Sequence, residues 1–174
     1  MSKGKKLVAG CGALLLLGGV IAWFSPAGDA VRDLLKTGIL EKNEANAKFE
    51  GDTIAHLKAL YTAAEVFHQS EEKFPDAGTW MDDLLPRLKT GDLAAGEAEK
   101  KLVRPDLLTE NGKYGYATNS AVAGKYKGDI REDKAILYYE CTQTGKNYSG
   151  DPAKDGVKRG KAITVKGEII TLNK

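Results

Sequence analysis

The residues best suited to chemistry in this 174-residue chain are carboxylates. Asp151 and Asp155 sit in the glycine-bearing run SGDPAKDG (149–156) and offer oxygen ligands of the kind calcium takes. An EF-hand-like loop needs ligands at alternate positions, and here Pro152 and Ala153 intervene, so a solvated turn is the competing reading. His56 and His68 are the only histidines. On one helix their separation places them about 120° and about 18 Å apart, too far to share a metal, and each is expected at the border of a buried stripe. Ser70 and Ser120 lie in no Gly-x-Ser-x-Gly elbow, and Thr144-Gly145-Lys146 lacks the upstream glycine of a phosphate loop. Nothing here supports an enzyme, and no cofactor is expected. Asp82 and Asp83 more simply favour the start of a short helix after Trp80.

The C-terminal region is locally basic through Lys146, Lys154, Lys158, Arg159, Lys161 and Lys166, opposed by Asp151 and Asp155. Only Tyr148 interleaves with these cations, so a nucleic-acid partner is not expected; a solvated edge guarded by lysines explains the same residues.

The elements that must position these groups begin with the first 27 residues. Lys3, Lys5 and Lys6 precede an uncharged run from Leu7 to Phe24, which at about 1.5 Å per helical residue just spans a hydrocarbon core. Three fates are open. The run is longer than most signal-peptide cores, which favours a retained anchor with its N-terminus in the cytoplasm and the remainder exported. Cleavage after Ser25-Pro26-Ala27 is the second. In the third, Val8-Ala9-Gly10-Cys11 acts as a lipobox and Cys11 is lipidated, but only Leu7 to Gly10 would precede the cut; a small-residue patch within a membrane helix fits better. Beyond residue 27 there are 23 basic and 24 acidic residues, a formal charge of −1, and enough chain for one domain with a real core. Cys141, separated from Cys11 by the membrane boundary, reads as a buried small hydrophobe.

Asp29 to Leu40 carries a short amphipathic pattern, and a polar connector follows to about residue 52. The strongest periodicity comes next: Ile54, Leu57, Leu60, Tyr61, Ala64 and Phe67 fall on one helical stripe, capped by Asp52 or Thr53 and stopped by Pro75. Residues 79–108 suggest one or two short helices broken by Pro86, Gly91 and Pro105. Ala135 to Thr142 has strand composition, and Lys161 to Leu172 reads as a hairpin turning at Lys166-Gly167.

These residues carry a family resemblance. A basic N-terminus, an apolar helix, the stretch IAHLKALYTAAEVFHQSEEKFP, then WMDDLLPRL, YGYATNS and the closing KGEIITL together resemble the type IV pilin and type II secretion pseudopilin family. The resemblance implies an α+β fold: an N-terminal membrane helix, then a long amphipathic helix packed on a small antiparallel sheet. The expected divisions are 1–27 as anchor or signal, 28–52 as connector and 53–174 as the exported pilin-like domain. It also implies a structural role in a secretion or pilus system at the bacterial cell membrane. Partners would be the membrane and other pilin-like proteins, with calcium at Asp151 and Asp155 because major pseudopilins bind that ion in a C-terminal loop. The alternative is a stand-alone anchored module that binds a small ligand or surface polymer. The chain departs from the family in lacking the peptidase-site glycine followed by a Phe-Thr-Leu-Ile-Glu-like run, and no acidic residue precedes Asp29.

Overall fold

The computed structural model describes residues 47–132 and 134–173, all within a compact unit running from Glu44 to Lys174. The expected membrane run, Cys11, the amphipathic stretch at 29–40 and the 1–27 division lie outside the described residues. Among the described residues no helix is long and apolar enough to cross a membrane.

Helix α1 (Thr53–Glu71) begins where the Asp52 side chain accepts the Ala55 N–H at 2.9 Å. It ends before Pro75 is reached: Glu72 turns left-handed at φ 59°, and its N–H closes on the His68 carbonyl. Leu57, Leu60, Ala63, Ala64 and Phe67 are buried in the main core with Leu137, Tyr138, Ile163 and Val165. The helical stripe therefore rests on the sheet, as its periodicity requires.

Helix α2 (Trp80–Leu88) buries Trp80, Met81, Leu84 and Leu88 beside α1, and the Trp80 ring stacks on Tyr138 at 4.9 Å. Pro86 lies inside this helix rather than breaking it. It sits in the last turn, where its missing N–H costs one hydrogen bond to the Asp82 carbonyl and little of the helix remains to be bent. Arg87 donates a side-chain bond to the Asp83 carbonyl at 2.8 Å. A four-residue helix α3 (Glu97–Lys100) and a 3₁₀ turn at Pro105–Leu107 lead to the sheet.

The five strands are β1 (Tyr116–Asn119), β2 (Ile136–Glu140), β3 (Ser149–Gly150), β4 (Lys161–Thr164) and β5 (Ile169–Thr171), in the order β3-β1-β2-β4-β5. Three pairings are antiparallel, but β3 runs parallel to β1, so the sheet is mixed rather than purely antiparallel. The physical reason is the route from Cys141: the chain loops past the start of α2 and returns along the far edge of β1. Ser149 and Gly150 have no strand-forming pattern and are extended only by that pairing. Between Ile136 and Tyr138 the β2–β4 register slips by a residue. This bulge lets the adjacent Leu137 and Tyr138 both enter the core under α1, while Tyr139 turns to the opposite face. The β4–β5 turn falls at the expected place, with Gly167 at φ 80°.

The opposite face of the sheet holds a smaller cluster, Ala117, Tyr139, Cys141, Ala162 and Leu172, partly covered by a short helix α4 (Pro152–Asp155). Leu60, in the middle of the α1 stripe, is fully buried. Replacing it by Ala should cost about 2–5 kcal/mol. Leu60→Asp should abolish the cooperative thermal transition of a 44–174 fragment, followed by circular dichroism; an unchanged melting curve would mean that the stripe does not hold the sheet.

Candidate functional site

The structure brings Asp151 and Asp155 together on the single turn of α4. Asp151 is its N-cap: its carboxylate accepts the Ala153 N–H at 2.9 Å and lies 3.7 Å from the Lys154 ammonium. Asp155 folds back so that its Oδ2 accepts the Asp151 N–H at 3.1 Å. A Cβ on Gly150 would fall 2.2 Å from that oxygen, so any other residue there would push the Asp155 carboxylate off the Asp151 N–H. Both carboxylates thus already serve backbone donors. Among the described residues no group of three or more His, Cys, Asp or Glu side chains converges as a metal ion would require.

Beside this turn lies an open cleft of about 520 Å³. Asp151, Pro152 and Ala153 form one wall and the 119–136 segment the other. Asn119 fixes the floor, donating to the Ile136 carbonyl at 2.9 Å and accepting the Ala121 N–H at 3.0 Å. Lys125, Arg131 and Lys134 face Asp129, Glu132 and Asp151 around the rim, so the described lining favours no one sign of ligand charge. Ile136, Pro152 and Ala153 also line a second pocket of about 250 Å³, bordered by Ile170 and Leu172. The cleft can take up a small molecule with both polar and apolar parts.

The two histidines do different work. His68 Nε2 accepts the Lys127 N–H at 3.1 Å, and its ring stacks on Tyr126. The Lys127 ammonium in turn bonds both oxygens of Glu65, at 2.8 and 2.9 Å. His56 is not at the border of the stripe as expected but fully buried, with Phe49 on one side and Tyr116 on the other. Burial lowers its pKa against the opposing pull of the Val103, Gly51 and Lys101 carbonyls.

The Thr144-Gly145-Lys146 run belongs to a loop that docks on the start of α2. Lys146 pairs with Asp82, and Asn147, left-handed at φ 55°, accepts the Met81 N–H at 2.7 Å while donating to Asp82 at 2.8 Å. The Lys146 ammonium and the Asn147 amide hold the Asp82 carboxyl below its ordinary pKa. Asp83 accepts the Thr79 hydroxyl at 2.8 Å, and both acids sit in the first turn of α2 as their spacing implies. Cys141 is buried, and desolvation raises its thiol pKa, which opposes nucleophilic use.

Sequence reasoning missed two polar centres. Glu140 joins three elements, accepting from the Thr53 hydroxyl at 3.1 Å and the Lys161 N–H at 2.5 Å beside β1. Arg104 grips Asp106 through two nitrogens and donates to the Cys141 carbonyl at 3.0 Å. Glu140 meets its partners, and Arg104 meets Cys141, only across long sequence separations with no shared spacing, so the sequence carried no signal for either centre. No family model, no curated protein and no solved structure matches this chain.

Asn147 supplies both a backbone cap and a tolerance of left-handed backbone. Asn147→Ala should lower stability by about 1–3 kcal/mol in urea unfolding, because the Met81 N–H loses its partner and the left-handed backbone disfavours Ala. Asn147→Gly, which relieves only the backbone, should recover part of that loss; equal losses would assign the whole effect to the cap.

Proposed function

We propose that this chain is a membrane-anchored, pilin-like subunit or accessory protein of a bacterial secretion or pilus system, with its α+β domain outside the cytoplasm. The observation that supports this most is the order of elements. Among the described residues the amphipathic helix α1 comes first and lies across a small sheet, and the sequence before it holds three lysines and an uncharged run of membrane-spanning length. The role is structural rather than catalytic, and its partners are the membrane and other pilin-like proteins.

Assembly by internal charge pairing is not part of this reading. In the family that the sequence resembles, a carboxylate near the start of the membrane helix neutralises a neighbour's terminal amine, and an unpaired charge there costs several kcal/mol. This chain has no acidic residue before Asp29. Its run instead offers Gly10, Gly12, Gly18 and Gly19 for close helix approach, so self-association should be weak.

A second reading, an anchored module that binds a small ligand or surface polymer, is favoured by the mixed polar and apolar cleft beside α4. Genome neighbours separate the two: a secretion ATPase and a prepilin peptidase beside the gene favour the first. Full-length protein should remain in the membrane fraction after alkaline carbonate, and Cys11→Ser should not release it. Crosslinking in membranes should give minor oligomers that Gly18→Leu removes. Abundant ladders insensitive to that change would restore filament assembly, and release by Cys11→Ser would establish a lipid anchor instead.

A further inference from the structure

The chain enters the domain through a short strap, residues 47–51, whose fastening is polar and local. Ala47 bridges Leu93 in parallel: its N–H donates to the Asp92 carbonyl at 2.9 Å, and its carbonyl accepts the Ala94 N–H at 3.0 Å. Two residues on, the Phe49 N–H donates to Glu97 Oε2 at 2.8 Å. The Phe49 ring then lies between two bases. The Lys101 ammonium stands 5.1 Å from its centroid and the His56 imidazole 4.9 Å from it. Gly51 makes this fold possible, since a Cβ there would meet Ala55 at 2.8 Å and the Phe49 ring at 3.1 Å.

Phe49 is therefore a cover over His56. Around the imidazole, α1 contributes Asp52, the strap contributes the Gly51 carbonyl, the segment after α3 contributes the Lys101 and Val103 carbonyls, and β1 contributes the Tyr116 ring. Nδ1 has no hydrogen-bond partner, and among the described residues no carboxylate is hydrogen-bonded to the ring. Of the neighbouring charges, Lys101 donates to the Leu88 carbonyl at 3.0 Å, and Glu97 holds Lys100 at 2.6 Å as well as the Phe49 N–H.

We propose that residues 47–51 are an acid-released strap, which opens when His56 takes up a proton and lifts Phe49 from the imidazole. The linkage follows from the cover. With Phe49 in place a protonated imidazole is desolvated, a cost that the nearby Asp52 charge and the Gly51, Lys101 and Val103 carbonyls offset only in part; with Phe49 displaced it is hydrated. Opening therefore takes up a proton. The His56 pKa is lowered in the closed state, so the contribution of this site is intact above about 6.5 and is lost as pH falls through the closed-state value. Glu97, also held below its ordinary pKa by Lys100 and the Phe49 N–H, would weaken the strap only at lower pH, in the carboxylate range. This device does not depend on whether the chain assembles.

The test is hydrogen exchange on the full chain in detergent micelles, read by mass spectrometry and corrected for intrinsic rates. Protection of 47–51 should fall at least tenfold between pH 7.5 and 5.0 while 57–67 in α1 stays protected, and His56→Gln should remove that pH dependence. Loss of both segments together, no loss at all, or an acid step that persists in His56→Gln overturns the proposal, the last by assigning the step to Glu97. Because His56→Gln can disturb the fold, a second measurement uses Phe49→Ala with labelled histidines. The His56 titration midpoint seen by NMR should lie below that of an ordinary imidazole in the native chain and rise toward it in Phe49→Ala; an unmoved midpoint means that the strap does not cover His56.

Discussion

The domain depends on one packing constraint: the apolar stripe of α1 has no place to go except the face of β2 and β4. Leu57, Leu60 and Ala64 are fully buried there, and each fully buried leucine contributes about 1.5–3 kcal/mol. The β2 bulge is what makes the fit, since without the slip at Leu137 the alternation of a strand would turn one of two adjacent large side chains away from the helix. Once Tyr138 faces α1, its ring offers a surface for Trp80, and α2 follows into place.

The polar ties are arranged around this core and close its open ends. Trp80 Nε1 donates to the Tyr148 carbonyl, Asn147 caps α2, and Glu140 ties the start of α1 to the start of β4. The hydroxyls of Tyr138 and Tyr139 are buried without partners, and desolvation drives the pKa values of Tyr116, Tyr138 and Tyr139 up, so these side chains act as aromatic bulk rather than as acids or bases. The features that face outward are the cleft beside α4 and the strap at Phe49.

Elements with strong periodicity were legible in the sequence. α1, β2 and the β4–β5 hairpin each carry a repeating apolar pattern or a glycine turn, and the burial of Leu57, Leu60, Ala64 and Phe67 against residues 137–138 and 163–165 follows from it. β3 was not legible, because a two-residue Ser-Gly strand exists only through its pairing with β1. The helical turn α4 in SGDPAKDG was not legible, because a four-residue helix has no period to detect. The full burial of His56 was not legible either, since the stripe alone cannot show what arrives from outside it. Phe49, the large apolar residue of a polar connector, supplies that cover through tertiary contact.

The central claim is that α1 and the sheet form one cooperative unit. Native-state hydrogen exchange on the 44–174 fragment tests it most directly. The account predicts that amides of residues 57–67 in α1 and of β2 and β4 are the slowest to exchange and share one opening free energy, equal to that of global unfolding. Exchange of α1 through a separate, lower-energy opening while β2 and β4 stay protected would contradict it.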